Sequence, residues 1–252
     1  MNEYEQIISL ISLSMGVAWA SGLNLYAAIL VLGFAGSTGN LDLPPALEVL
    51  QDPMVIMAAG LMYGVEFFAD KTPGVDTAWD SLHTFVRIPA GAMLAAGSVG
   101  DVTPALQVAA GILGGSLTSV THAAKASSRV LINTSPEPFT NWGASVTEDV
   151  AVFAGLWTAL NHPVLFLILL VLFVLLLIWM LPKLWRGAML VLRKVGEWLG
   201  LVDKNAPADP LLPGLDDTVE KLQRLQELRE SGALTDEEFE LAKAKVLGVM
   251  SE

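Results

Sequence analysis

The chain has 252 residues, of which 53% are hydrophobic and only 16% are charged. This apolar content exceeds that of an ordinary water-soluble domain and favours a membrane protein. The net charge of −12 argues against nucleic acid as a partner, because binding a phosphate backbone requires clustered Lys and Arg. The chain has no cysteine, which excludes a disulfide framework and a thiolate metal site.

Apolar windows with little or no charge predict six transmembrane helices. The N-terminus, MNEYEQ, lacks the positive charge of a cleavable signal peptide, so the first window is expected to stay in the protein. The last window is an uninterrupted apolar run between Pro163 and Pro182. We therefore expect an all-α polytopic membrane bundle. Its predicted spans cover about residues 7–36, 54–69, 86–100, 104–122, 144–160 and 164–181.

The first window is longer than one crossing requires, and it has Ser21, Gly22 and Asn24 at its centre. Such residues can break a helix and free backbone groups for a ligand. A single tilted helix that tolerates Gly22 and Asn24 is the favoured interpretation. A broken helix is the alternative.

Lys and Arg are expected on one side of the membrane only. If the N-terminus is cytoplasmic, the outer segments near residues 37–53, 100–104 and 161–163 contain neither residue. The inner segments contain Lys71, Arg87, Lys125, Arg129, Lys183, Arg186, Arg193 and Lys194. We therefore predict a multi-pass inner-membrane protein with both termini in the cytoplasm.

Residues 54–100 and 104–160 form two predicted helical hairpins that resemble a repeat. Gly60 and Gly64 make a GxxxG motif in the first, and Gly111 and Gly115 make one in the second. Small residues at this spacing let helices approach closely in lipid, so a helix contact is expected at both motifs.

Ionisable residues share helix faces in both hairpins. Asp76, Asp80, His83 and Arg87 follow at spacings of four, three and four, which places them on one face. Charged groups near membrane depth are costly, so acids and bases are expected to pair around an interior site. The candidate substrate-binding or ion-binding residues are Asn24, Glu66, Asp70, Asp76, Asp80, His83, Arg87, His122, Lys125, Arg129, Asn141, Glu148 and Asp149.

The same residues allow other interpretations. They can lie in ordinary cytoplasmic loops with hydrated charges. Asp76, Asp80 and His83 can instead bind a divalent cation, since carboxylate and imidazole suit Mg, Mn or Zn. We find no catalytic motif and expect no cofactor, so an enzyme is not favoured, although a lipid-modifying membrane enzyme stays an alternative.

The C-terminal part is polar and is expected in the cytoplasm. Residues 183–200 are predicted to form an amphipathic helix in the membrane interface, and residues 201–217 a linker. Thr235 and Glu238 form a capping box within a predicted helical hairpin at residues 218–252. A unit this small is expected to pair with a copy of itself or with another protein.

Two segments resemble known families. KLQRLQELRESGALTDEEFELAKAKVLG resembles the short C-terminal domain SHOCT, which implies an oligomerisation or interaction module. Residues 7–182 are similar to the bacterial multipass family called domain of unknown function 4126, through ASGLNLYA, EFFADKTPGVDTAWDSLHTFVRIPAGA and SPEPFTNWGASVTED. The resemblance implies that Glu66, Asp70, Asp76, Asp80, Asn141 and Glu148 belong to that family's polar set, and it implies no reaction.

These observations together favour a transporter or channel for a small solute or ion. Its site is expected between the hairpins at residues 54–100 and 104–160. The alternative is a membrane-anchored assembly or signalling scaffold that recruits a partner through residues 218–252.

Overall fold

The computed structural model describes residues 2–134, 138–199, 224–229 and 234–246, which form two units, Met1–Leu192 and Arg193–Glu252. All regular elements among these residues are helical, which confirms the all-α prediction. They are α1 Glu3–Ser37, a 3₁₀ helix Pro45–Gln51, α2 Pro53–Ala69, α3 Val75–Ser98, α4 Pro104–Ile132, α5 Pro138–Asn161, α6 Pro163–Trp198 and α7 Asp236–Val246.

Proline and glycine set the helix boundaries. Pro53 is the first residue of α2, where its missing N–H costs nothing, and Asp52 caps this helix by accepting the N–H of Met54 at 2.7 Å. Gly74, with φ of 83°, provides the left-handed residue that the turn between α2 and α3 requires. Pro104 begins α4 in the same way as Pro53 begins α2.

Helix α1 is broken at Asn24, which has an extended backbone with φ of −149° and ψ of 98°. The Asn24 side chain accepts the N–H of Ala27 at 2.9 Å, the contact of an N-cap residue with the third position of a helix. In an unbroken helix that N–H would bond to the carbonyl of Leu23. The favoured prediction of a single tilted helix was therefore wrong, and the alternative of a break is what the structure has.

The first half of α1 runs away from the loop end of the bundle, which we define by residues 38–52, 99–103 and 162. Near that end, the Ser12 hydroxyl donates to the carbonyl of Ala159 at 2.9 Å. Two turns of helix later, Thr118 donates to the carbonyl of Ala18. This first half of α1 ends at Leu23, close to the opposite end of the bundle. We call that end the turn end and define it by residues 70–74 and 133–134.

The second half of α1 returns to the loop end. It begins beside α3, where Tyr26 lies 3.1 Å from His83, and at its last turn Gly36 lies against Leu43 and Gln51. Both ends of α1 therefore lie at the loop end of the bundle. The prediction that residues 7–36 cross once, with the N-terminus beside the basic turns, does not describe this chain.

Helix α6 continues through Pro182. The sequence predicts that a transmembrane run ends at this residue and that a separate interfacial helix follows it. The structure has no helix boundary there, because residues 163–198 form one helix. Gly187 lies against Leu131 of α4, so this part of α6 is at the turn end, opposite the start of α1. The predicted linker at residues 201–217 lies outside the described residues.

By length and hydropathy alone, α1 and α6 are the helices within the described ranges that qualify as membrane spans, although the break at Asn24 divides α1 into two shorter halves. The 3₁₀ helix Pro45–Gln51 and α2, bent by 69°, make a third candidate span if they are taken together. The exposed surface of α6 is apolar, with Leu169, Leu172 and Leu176 about half exposed. This is the surface expected of a helix that faces acyl chains, and the protein is a helical membrane protein.

Glycine allows α3 and α4 to pack closely along their length. A Cβ atom at Gly114 would collide with the side chain of Ala95, and one at Gly115 would lie 3.1 Å from Ala92. Gly111 also faces α3, so the expected helix contact at the second GxxxG motif is present. At the first motif the contact is partial, because a Cβ at Gly60 would lie 3.8 Å from Leu30 of α1, whereas one at Gly64 would meet open space.

The second unit contains the predicted capping box. Glu238 donates its N–H to the Thr235 hydroxyl at 3.3 Å, and the Glu238 carboxylate accepts the N–H of Thr235 at 3.0 Å. These hydrogen bonds from the Thr235 backbone and hydroxyl lower the pKa of Glu238. The capping box fixes the start of α7, whose Phe239 is buried.

Candidate functional site

The polar residues predicted from the sequence converge in one interior cluster. It lies near the turn end, where α2, α3, α4 and α5 surround the break in α1. The interpretation as hydrated loops is therefore wrong for these side chains, which are almost all excluded from solvent. Residues exposed by 9% or less are Asn24, Glu66, Asp70, Asp76, Asp80, His83, Arg87, His122, Lys125, Arg129, Asn141 and Asp149, and the Glu148 side chain is 17% exposed.

Lys125 of α4 is the centre of the cluster. Its ammonium donates to the carbonyl of Leu23 at 2.9 Å, the acceptor that the break in α1 leaves free. Four carboxylates, from α2, the turn that follows it, α3 and α5, lie within 4 Å of the same nitrogen. Their oxygens are at 2.7 Å for Asp70, 3.4 Å for Glu66, 3.7 Å for Glu148 and 3.8 Å for Asp80.

Arg87 of α3 joins Glu66 to Asp80, with nitrogen to oxygen distances of 2.6 Å and 3.0 Å. Its Nη1 also lies 3.2 Å from Nδ1 of His122. A guanidinium only donates hydrogen bonds, so Nδ1 must accept, and His122 is a neutral imidazole with its proton on Nε2. That proton is donated to the hydroxyl of Thr84 at 2.8 Å.

Arg129 of α4 connects the turn end to α5. Its Nη2 lies 2.6 Å from the carboxylate of Glu148. Its Nη1 donates to the carbonyls of Asn141 and Asp70, at 3.1 Å and 3.2 Å. Because α2, α4 and α5 all contribute to these contacts, Arg129 holds the second hairpin against the first.

Asp76 has a structural role at the start of α3. One of its oxygens accepts from the backbone of Gly74 at 2.9 Å and of Thr77 at 2.6 Å, and from the amide of Asn133 at 2.7 Å. The other accepts from the amide of Asn141 at 3.1 Å. These donors use the acceptor capacity of Asp76, which leaves little for a ligand.

The structure does not bring Asp76, Asp80 and His83 together as metal ligands. Across the described ranges, no group of three or more His, Asp and Glu side chains has an arrangement that could hold a metal ion. His83 instead stacks on Trp79 with ring centroids 4.1 Å apart. Its Nε2 lies 3.1 Å from the hydroxyl of Tyr26.

Lys71 also belongs to the cluster, although the sequence analysis predicts it in a cytoplasmic loop. It is only 5% exposed, and its ammonium donates to the hydroxyl of Ser145 at 3.0 Å. The ammonium also lies 3.0 Å from the centre of the Phe67 ring. Burial lowers the pKa of Lys71, and the carboxylate of Asp149 opposes this effect.

Four buried carboxylates have unused acceptors. One oxygen each of Glu66, Asp70, Asp80 and Asp149 has no hydrogen-bond partner in the part of the chain that the structure describes. The cluster also contains more acids than bases. Its carboxylates are Glu66, Asp70, Asp76, Asp80, Glu148 and Asp149, and its cations are Lys71, Arg87, Lys125 and Arg129. The interior is therefore suited to bind positive charge.

A membrane bundle with a charged interior around a broken helix is the class of protein that this fold and site define. The chain belongs to the family described as domain of unknown function 4126, whose model matches residues 11–183. A model of the short C-terminal domain, SHOCT, matches residues 220–247. Both family predictions are thus confirmed. No curated protein and no solved structure matches the chain.

Proposed function

We propose that the protein is a transporter or channel for a small solute or ion, and that the cluster around Lys125 is its binding site. The observation that carries the proposal is the contact between Lys125 and the freed carbonyl of Leu23. Transporters build sites within the membrane from interrupted helices, whose free backbone groups and helix ends face charged ligands. The break at Asn24 is such an interruption, and it faces the cluster.

The amount of buried charge supports the same proposal. Taking an ion pair out of water costs more than its attraction commonly returns, and well-packed apolar side chains of similar volume stabilise a protein as well or better. Arg87, Glu66 and Lys125 are almost completely buried, so stability alone does not account for them. A site that binds and releases ions does require such groups.

The distribution of Lys and Arg gives the proposed orientation. At the loop end, positions 2–6, 38–52, 99–103 and 162 contain no Lys or Arg. Lys71 lies at the turn end, where α2 and α4 end. By the positive-inside rule, this distribution supports a turn end in the cytoplasm of a bacterial inner membrane. In this orientation the N-terminus is outside and the C-terminal residues are cytoplasmic.

Thiol accessibility tests whether the site opens to water. Because the chain contains no cysteine, single-cysteine variants need no other change. Thr121→Cys places a buried thiol in the cluster beside Gly22, next to the break in α1, and Ser145→Cys places one at the contact with Lys71. Ser12→Cys places a thiol at a buried position outside the cluster. Membrane-impermeant thiol reagents should modify the first two variants from both sides of oriented vesicles and should leave Ser12→Cys unmodified. If neither cluster thiol reacts from either side, the transport proposal is wrong.

Flux measurements test the role of the carboxylates. Potassium, sodium, chloride and proton fluxes into proteoliposomes serve as probes. Any flux carried by the wild-type protein should fall to that of protein-free vesicles in Glu66→Gln and Glu148→Gln variants. Glu48→Gln, at an exposed position of the 3₁₀ helix, is the matched control and should retain full flux. Wild-type flux in folded Glu66→Gln protein would exclude Glu66 from the site.

A scaffold is the second candidate function, and one observation in the C-terminal unit favours it. Leu241 of α7 is 60% exposed, although Phe239 on the same helix is buried. A unit this small buries little apolar surface by itself, so Leu241 is available for contact with a second copy of the chain or another protein. Deleting residues 218–252 should abolish partner binding by a scaffold, whereas a transporter should retain its basal flux.

A further inference from the structure

Asp149 lies beside the break in α1 and is the least compensated buried carboxylate of the cluster. It is 8% exposed, and it forms no ion pair with Lys, Arg or His among the described residues. One oxygen accepts a single hydrogen bond, from the amide nitrogen of Asn24 at 3.3 Å. The other oxygen has no partner within the described ranges.

Asp76 is the other acid of the cluster without an ion pair, and the comparison between the two is informative. Asp76 accepts hydrogen bonds from Gly74, Thr77, Asn133 and Asn141, and it lies at the start of α3, where the helix dipole favours negative charge. Both oxygens of Asp76 therefore have hydrogen-bond donors. Asp149 has one long hydrogen bond from a neutral amide and no ion pair, so its buried charge is less compensated than that of Asp76.

We infer that Asp149 is the proton-binding residue of the cluster, a carboxylic acid in this closed arrangement, and that the proton is the coupled ion. The inference rests on the proposed transport function. When the site opens to one side, the Asp149 carboxylate takes a proton from hydronium and leaves water. When the site opens to the other side, the acid returns the proton to water, and no other bond changes.

The groups that face Asp149 come from four elements. They are Tyr63 of α2, Asp70 and Lys71 of the following turn, Lys125 of α4 and the neutral Asn24 of α1, with Glu148 adjacent in α5. Asp70 favours the protonated acid, and the two lysines favour the anion. Lys125 is already within 4 Å of four other carboxylates, so it is not available as a direct partner of Asp149.

Lys71 is the partner available to the deprotonated form. Its ammonium bonds to Ser145, which is one helical turn before Asp149 on the same face of α5. Loss of the proton would draw Lys71 from Ser145 toward the new charge. Asn24 connects this change to α1, because its side chain contacts Asp149 and also caps the second half of the broken helix through Ala27.

Infrared spectroscopy of the purified full-length protein tests the inference. The wild-type protein should show the C=O stretching band of a protonated carboxylic acid at neutral pH. The band should be absent in Asp149→Asn, which keeps the size of the side chain, and present in the matched control Asp42→Asn, at an exposed position. A wild-type spectrum without the band, or a band that persists unchanged in Asp149→Asn, would overturn the inference.

The pH dependence of the band provides a second measurement that does not need the Asn variant to fold. Raising the pH should remove the band from the wild-type protein as the acid ionises. In Lys71→Met the loss should occur at higher pH, because the cation that favours the anion is gone. A Lys71→Met midpoint equal to that of the wild type would exclude Lys71 as the partner.

The two experiments separate the inference from the function on which it rests. If Thr121→Cys reacts from both sides but the wild-type protein lacks the band, the protein transports and Asp149 does not bind the proton. If the band is present but neither cluster thiol reacts, Asp149 is a buried acid in a protein that does not transport.

Discussion

The ammonium of Lys125 lies 2.9 Å from the carbonyl oxygen of Leu23, which the extended Asn24 deprives of its helical partner. The same nitrogen lies within 4 Å of carboxylates from α2, α3 and α5. One side chain of α4 therefore contacts every other helix of the charged interior. Substitution of Lys125 is therefore the most direct test of how the cluster contributes to stability.

Lys125→Met should destabilise the protein by about 3–5 kcal/mol, because it leaves several buried carboxylates without their cation. Thermal unfolding in detergent, followed by circular dichroism, measures the loss. Lys183→Met, at an exposed position, is the matched control and should cost at most about 1 kcal/mol through its contact with Trp179. Adding Asp70→Asn to Lys125→Met should restore part of the lost stability. A Lys125→Met variant as stable as the control would contradict the described network.

Asn24→Ala should destabilise the protein by about 1–2 kcal/mol, since it removes the cap from the N–H of Ala27. Asn24→Ser keeps a capping oxygen and loses the hydrogen bond to Asp149, so it should be less destabilising than the alanine variant. The unfolding midpoints should therefore follow the order wild type, serine, alanine. Equal midpoints for the serine and alanine variants would mean that Asn24 does not act as a cap.

The fold of α1 predicts which side of the membrane the N-terminus reaches. Tyr4→Cys and Asp101→Cys, both exposed and at the loop end, should react with an impermeant thiol reagent from the same side. Thr134→Cys, exposed at the turn end, should react from the opposite side. Labelling of Tyr4→Cys together with Thr134→Cys would instead support a first helix that crosses once.

Two glycines in membrane helices should respond in opposite ways to alanine. Gly114→Ala should destabilise by about 1–3 kcal/mol, because its Cβ would collide with Ala95 where α3 and α4 pack. Gly64 of α2 faces open space, so Gly64→Ala should be neutral or should stabilise the protein by about 0.5–1 kcal/mol. Unfolding of both variants under the same detergent conditions provides the comparison. A stabilising Gly114→Ala would show that the two helices are farther apart than described.

Helical periodicity is sufficient to predict which face of α3 is buried. Asp76, Asp80, His83 and Arg87 were placed on one face of α3 from their spacing, and all four are buried. Periodicity works here because burial of a polar face is a property of one helix and its neighbours. The pairing of Arg87 with Glu66 follows from the cost of burying either charge alone.

The path of α1 was not accessible to the same reasoning. A long apolar window fits one tilted helix or two shorter antiparallel helices, because hydropathy indicates that a segment lies in lipid but not which way it runs. The difference depends on the backbone of Asn24 alone. The burial of Lys71 was missed for a related reason, because its partner Ser145 is distant in sequence and is brought near only by the packing of α5.

The position of Lys125 limits how this bundle can open. If one helix moved outward alone, its carboxylate would separate from the Lys125 ammonium and would lie unpaired in hydrocarbon. The opening that the proposed transport requires would therefore be a concerted displacement of several helices, or would follow neutralisation of the carboxylates that hold them.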